Sequence, residues 1–413
     1  MRIKVLNSSR ANIVFIGLVI INICVSYIAG STGIYAVTAF REYCRLDLLN
    51  VMFVIEPLAR SISLLVSGRV GEYLGRKQLY IWSVSGFALS IAISIGTSSG
   101  IAFLLIRGVS GFFWGLFFAN VFTMVNDIVS EEEYPVRIGI MQTVYSLTLI
   151  FGPILCGIFT ERWNWRISLA ILLPLFIIGI LLVACFMPKS KTKKRIHISS
   201  IKEELKGPNI HKNRNTTEKL LILKLLKQKE YFIIILITFI VTCISCSGNY
   251  IPLYAQTVLG ANTTISAIVL VPCNIFVMTL SSIAGIYISK KGCTKNIIII
   301  MSGTILIGTF IYAVTLFISS YFVIILSTAI IGIGVGIHQV APFAFAQRHL
   351  DDTLISEGIA FISFVQGIAG VISGMIYSAT MRNGIAFSLT STVIYSTVLI
   401  LITIFKYKVP QDD

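Results

Sequence analysis

The chain has 413 residues, of which 56% are hydrophobic and only 12% charged, against about a quarter charged in soluble domains. Folding cannot hide that much apolar surface from water, which excludes a soluble enzyme or binding module and makes lipid the solvent. The net charge of +15 would suit nucleic acid, but most lysines and arginines fall in loops on one side of the predicted spans. The charge therefore reads as topology, and no nucleic-acid partner is expected.

A helix needs about 20 apolar residues to cross the hydrocarbon core. By that measure twelve spans are predicted, near 13–36, 49–68, 79–97, 100–125, 138–159 and 167–187, then near 232–255, 263–288, 296–317, 321–345, 356–378 and 384–406. A barrel would show alternating segments of about ten residues instead, so the fold class is an all-α membrane protein. The first run is too long for the apolar core of a cleavable leader and reads as a true span. Basic residues set the orientation. Arg2, Lys4 and Arg10, the stretch 68–79, the break 188–230, the stretch 289–295, and Lys406 with Lys408 all fall on one side. The opposite loops hold only Arg41, Arg45, Arg162, Arg166 and Arg382. Both termini are expected to be cytoplasmic, in a cell (inner) membrane.

Three regions follow: a first block 1–188, a basic linker 189–230 and a second block 231–413. The 188–230 break carries thirteen basic residues, from Lys189 to Lys229. Thr217 to Lys229 sets leucines and an isoleucine at near-helical spacing among lysines. That pattern fits an interfacial helix on anionic headgroups, and equally a solvated tether. The eight cysteines are scattered; Cys243 and Cys246 form a C-x-x-C inside a span, where lack of a second ligand pair makes them packing residues.

The stretch Gly68 to Leu79 reads GRVGEYLGRKQL, between two apolar runs of membrane-spanning length. A second copy, Gly285 to Lys295, reads GIYISKKGCTK. The framing glycines are 217 residues apart in both cases (68 and 285, 75 and 292). Two copies of one basic glycine corner at matching places point to a duplicated membrane transporter.

The first copy resembles the loop signature of the major facilitator superfamily, G-x-L-a-D-r-x-G-R-K after the second helix, with Glu72 in place of the usual Asp. The second copy has Ser289 at the acid position and Cys293 at the arginine position. Glycines let helix ends approach and turn sharply. The resemblance implies a cytoplasmic gate of Gly68, Glu72, Gly75, Arg76, Lys77, Gly285 and Gly292. In it Glu72 pairs with a helix N-terminus near Ser356, and Arg76 with Asp127 at the end of span four. Span four also carries Arg107, Gly111 and Gly115, similar to the family's R-x-x-q-G-x-x-x-G helix, whose arginine is linked to proton transfer. An arginine inside a span costs about 2.5–3.5 kcal/mol on insertion scales, so it persists only if paired or solvated. Span five holds Gly152, Pro153 and Gly157, which resembles the antiporter signature G-x-x-x-G-P-x-x-G-G. Here Thr148 and Cys156 replace two of its glycines. The turn Trp163-Asn164-Trp165-Arg166 looks like that of drug-exporter relatives.

Span two contains Glu56 and Arg60, four apart and so on one helix face. Buried together they would offset each other's desolvation, and Glu56 is the expected proton-coupling acid, with Arg60, Arg107 and Asp127 as the other coupling charges. In the family spans one, four, seven and ten line the cavity; their polar and aromatic candidates are Asn22, Tyr27, Trp114, Asn120, Asn249, Tyr250, His338 and Gln339. Imidazole changes charge near neutral pH, although a lone histidine in a span is more often a hydrogen-bonding residue.

Taken together, the resemblance implies two pseudo-symmetric six-helix bundles, each built from inverted three-helix repeats. It implies proton-coupled export of a small organic molecule of the multidrug type. The rivals are a dedicated exporter of one anionic metabolite, such as a metallophore or siderophore, and an uptake symporter. The expected partners are a small-molecule substrate, protons and membrane lipids; a monomer is expected, with no cofactor and no metal. Nothing marks an enzyme. His197, Glu203, Glu204 and His211 lie at no metal-ligand spacing, His349 with Asp351 and Asp352 balances charge in a loop, and no G-x-x-x-x-G-K-[ST] occurs.

Overall fold

The computed structural model describes residues 8–129, 133–187, 228–292, 294–350, 355–380 and 384–407; inside its helices the side chains of Arg69, Glu72, Ser289 and Ser356, among others, fall outside that description. The reading of Thr217 to Lys229 as an interfacial helix lies outside the described residues but for the last two. So do the linker histidines, Cys293, Asp351 and Asp352. The described residues form helices and turns, with no strand among them.

Seven helices make the first half. They are α1 (Ser8–Glu42), α2 (Asp47–Leu74), α3 (Arg76–Gly96), α4 (Gly100–Ile128), α5 (Tyr134–Arg162), α6 (Trp165–Ala170) and α7 (Leu172–Phe186). In the second half α8 (Lys229–Ser245) passes through a 3₁₀ turn (Cys246–Tyr250) into α9 (Ile251–Thr257). Then come α10 (Thr263–Ile268), α11 (Val271–Lys291), α12 (Lys295–Val314), α13 (Tyr321–His338), α14 (Ala341–His349), α15 (Ile355–Thr380), α16 (Ile385–Thr390) and α17 (Thr392–Phe405). Pro252 and Pro342 follow two of the breaks. A proline there removes the amide that would continue the ladder.

Eleven helical stretches among the described residues are long and apolar enough to cross a bilayer. Outside that group stands α2, 28 residues long and so about 42 Å at 1.5 Å per residue; it carries Glu56, Arg60, Arg69 and Glu72. The outer skin is apolar: Trp82, Ile177, Phe310, Phe317, Ile394 and Phe405 are all exposed. Such a surface is stable only against lipid. Within the spans, hydroxyls return their proton to the helix itself, as Ser83 does to Leu79 O at 2.6 Å and Thr32 to Ile28 O at 2.7 Å. That satisfies these two donors without water.

Both glycine corners take the same backbone form. Gly75 ends α2 at φ 81°, its N–H bonded to Gly71 O; Gly292 ends α11 at φ 72°, its N–H bonded to Ile288 O. Only glycine holds a positive φ there without strain. The lysine after each corner caps the last helix of its own half. Lys77 Nζ donates to Ala184 O at 2.8 Å and also to Met187 O, and Lys295 Nζ donates to Ile404 O at 2.9 Å. A cation on the last carbonyls of a helix is favoured by the dipole and fills their missing hydrogen bonds. Both corners therefore lie at the face that holds the ends of α7 and α17, here called the termini face.

At the far face the two halves meet. Glu161 at the end of α5 accepts from Asn262 Nδ2 at 2.9 Å and from Thr264 Oγ1 at 2.5 Å. A β-carbon on Gly157 would stand 2.9 Å from Thr263 O, so α5 and the start of α10 touch through backbone. The loops of the first half are tied here too. Trp165 Nε1 and Arg166 Nη1 both donate to Glu42 at 2.6 Å, and Asn164 Oδ1 caps the Arg166 amide. Partial burial pushes the Glu42 carboxyl up, but the Arg166 and Trp165 bonds and the guanidinium charge outweigh it and hold it below the usual carboxylate range.

Removing the Glu161 carboxylate deletes its own two cross-half bonds, each charge-assisted. Glu161→Ala is expected to open the far face more often. With Cys44 replaced by serine, a cysteine at Thr263 should react several-fold faster with a membrane-impermeant maleimide in the Glu161→Ala background.

Candidate functional site

The seam between α2 and α4 is set by small residues. A β-carbon added to Gly111 would lie 2.5 Å from Glu56 O, and one on Gly115 would lie 2.4 Å from Arg60 O. Glycines four apart let two helix backbones come into direct contact. The second half repeats the seam between α13 and α11. There a β-carbon on Gly332 would lie 2.6 Å from Cys273 O, and one on Gly336 would lie 2.9 Å from Val277 O. The contacted residues are 217 apart (56 and 273, 60 and 277), the same interval as the corner glycines, and the seam glycines are 221 apart (111 and 332, 115 and 336). Two copies of one helix pair thus occupy the two halves, and at the matching seam positions the first copy has Glu56 and Arg60 where the second has Cys273 and Val277.

That charge is arranged in two rungs. In the first, Arg107 Nη2 donates to Glu56 Oε1 at 2.7 Å, and Arg107 is fully buried. Its guanidinium also lies 5.7 Å from the Tyr35 ring. In the second, Arg60 lies 4.6 Å over the Trp114 ring. This corrects the expected pairing of Glu56 with Arg60. Those two share a helix face, but Gly111 brings α4 so close that Arg107 reaches Glu56 from across the seam, and Arg60 turns to the indole. Arg107 does not snorkel to the surface, because its partner is inside. A buried pair is weak evidence for stability, since desolvation of both groups opposes their attraction.

Near the first corner Arg76 Nη1 donates to Asp127 at 3.0 Å, which ties the start of α3 to the end of α4. In the second half Arg348, 221 residues after Asp127, lies with Nη1 3.2 Å from where a β-carbon of Gly292 would be. The sign of charge at this position is thus reversed between halves. Asn120 stands beside the first corner, with Oδ1 3.6 Å from a β-carbon built on Gly71, and Gly285 faces Val340 at 3.9 Å. Gly68 belongs to α2; the Glu72 side chain and its expected partner near Ser356 lie outside the described residues.

In α5 the Gly152 face packs on Tyr27 at 3.3 Å and the Gly157 face on α10, while Pro153 contacts the Gly30 position of α1 at 3.4 Å. This segment is a wedge between α1 and the second half. Asn22 and Tyr27 spend their polar atoms inside the first half. Asn22 Nδ2 donates to Met141 O at 2.9 Å, and Tyr27 shares a 2.8 Å bond with Ser168. Tyr250 meets Phe53 of the first half edge-on at 5.0 Å and Tyr377 of the second at a tilt at 5.2 Å. Asn249 and Gln339 are exposed. His338, at the break after α13, is buried with no protein partner on Nε2. Cys243 and Cys246 form no disulfide, Cys243 Sγ donating instead to Ala369 O at 3.5 Å, and among the described residues no three His, Cys, Asp or Glu side chains gather as a metal site.

The comparisons agree with this architecture. The family profile described as Major Facilitator Superfamily matches residues 12–374. The MFS-type transporter ppz2 of Metarhizium majus is 25% identical over 374 residues, covering 79% of this chain and 64% of its own. The efflux pump roqT of Penicillium rubens is 21% identical over 361 residues, 76% of this chain and 67% of its own. The chain spans about two thirds or less of most of these curated relatives. A tetracenomycin C resistance and export protein of Streptomyces glaucescens is 27% identical over 118 residues, 28% of this chain and 22% of its own. Among solved structures, a D-xylose-proton symporter superposes with a TM-score of 0.73 at 16% identity, covering 97% of both chains. The nucleoside transporter NupG gives 0.71 at 13% identity, over 97% of this chain and 100% of its own. With its profile match, its membrane-length helices and its duplicated glycine seams, the chain belongs to the Major Facilitator Superfamily and has that family's all-α, multi-pass membrane fold.

Proposed function

We propose that this carrier exports a small organic molecule across a cell membrane by alternating access, coupled to protons at the Glu56–Arg107 pair. Two six-helix bundles, 1–188 and 231–413, would rock about the paired corners, with the 189–230 linker and both termini in the cytoplasm. The buried pair carries the reading. A carboxylate and a guanidinium fully within the membrane are costly to keep and mark a functional site. Protonating Glu56 removes one charge and leaves Arg107 uncompensated in the seam, so the two protonation states favour different packings of α2 on α4. The wedge at Gly152, Pro153 and Gly157, and relatives named as efflux pumps, support export, of the multidrug type.

The test is Glu56→Gln, which keeps an acceptor for Arg107 but cannot cycle a proton. A growth-inhibition panel first identifies an exported compound. In everted vesicles with an acidified interior, the variant is expected to reach the membrane at the wild-type level and to lose at least tenfold of proton-driven accumulation. Exchange of labelled for unlabelled compound should survive. Undiminished proton-driven accumulation would end this reading.

A further inference from the structure

Among the described residues Glu56 is the one acid in the interior of the spans, and Arg107 has taken it. Arg60 is left with the face of Trp114 and no carboxylate. The two rungs therefore sum to one uncompensated positive charge within the membrane. The hydrogen-bond inventory leans the same way. Trp114 Nε1, Arg107 Nε and Arg107 Nη1 are buried donors with no protein acceptor. A buried donor left without an acceptor destabilises the folded state, because it has given up its water for nothing. Arg60 also lies within electrostatic reach of Tyr145 on α5 and of Cys246 in the 3₁₀ turn of the second half. It thus sits between the halves, where a bound molecule could touch both.

We infer that Arg60, with Trp114 beside it, is the binding site for an organic anion, so that the cargo of this carrier bears a carboxylate or sulfonate. Such a group brings acceptors and no donors, which is what the unpartnered Trp114 N–H and the surplus Arg60 guanidinium beside it require. The indole holds the guanidinium in place through its π-face and covers its apolar side. A cationic cargo would meet Arg60 with like charge and, among the described residues, find no carboxylate beside it.

This rests on the carrier reading but not on export or on Glu56, so it is tested by binding alone. The purified full chain in detergent is heated with 2-naphthalenesulfonate, with 1-naphthoate, or with tetraphenylphosphonium as the cation. Ligands that bind the folded state raise its Tm. The anions are expected to raise the Tm of the wild type and of Glu56→Gln by a few degrees, and the cation to leave it unchanged. Arg60→Gln should lose that rise and Arg60→Lys keep part of it, each judged against its own unliganded Tm, which reports folding. Stabilisation by the cation, no stabilisation by either anion, or an undiminished rise in Arg60→Gln would each overturn the assignment. Loss of proton-driven transport in Glu56→Gln with the anion-induced rise intact leaves both readings standing. An anion-induced rise together with undiminished proton-driven transport in Glu56→Gln sinks only the coupling.

Discussion

Alanine at Gly115 is expected to cut the yield of folded, membrane-inserted protein several-fold and to lower the Tm of what remains. The added methyl would lie 2.4 Å from Arg60 O and 1.9 Å from Ser63 Oγ. Serine can rotate away, but the Arg60 carbonyl is part of a helix and cannot. The two helices must then separate along the seam. Overpacking costs about 1–3 kcal/mol in ordinary cores, and a backbone obstruction belongs at the upper end. Gly139→Ala is the control, because nothing lies within 4 Å of its added carbon. A Gly115→Ala protein that melts within a degree of the wild type would show that the seam is not closed by backbone contact.

Leucine at Arg107 is expected to be worse than losing both charges together. The single change leaves the Glu56 carboxylate buried with no cation, and breaking such a pair costs about 3–5 kcal/mol. Adding Glu56→Gln removes the stranded charge, so the double variant should regain most of the lost stability while remaining dead in proton-driven transport. Thermal unfolding of the four proteins in detergent closes the cycle. Equal losses in the single and double variants would mean that the pair is not coupled in the folded chain.

The sequence made the glycine corners legible because backbone geometry leaves a residue-level mark: only glycine fits at 75 and 292. Glu56, Arg60 and Arg107 were also legible one by one, since charge in an apolar run is conspicuous. Their pairing was not. Spacing along one helix put Glu56 with Arg60, and nothing within α2 says how near α4 will come. The signal that could have corrected it was the second glycine pair, Gly332 and Gly336, whose agreement with Gly111 and Gly115 marks a backbone-tight seam in both halves. The caps made by Lys77 and Lys295 were out of reach for a different reason. Their acceptors are main-chain carbonyls more than a hundred residues away, and a carbonyl has no identity in a sequence. Asn22 and Tyr27 were named for polarity alone, and polarity does not say whether a side chain turns to a cavity or to Met141 and Ser168.

The charged side chains in the interior of the described spans, buried Glu56 and Arg107 and half-buried Arg60, belong to the first half, while the matching seam of the second half holds Cys273 and Val277. A transmembrane voltage does work of about 2.3 kcal/mol per elementary charge per 100 mV. It therefore pulls on one bundle and leaves the other almost untouched, so that membrane potential acts on this carrier as a lever with a single arm.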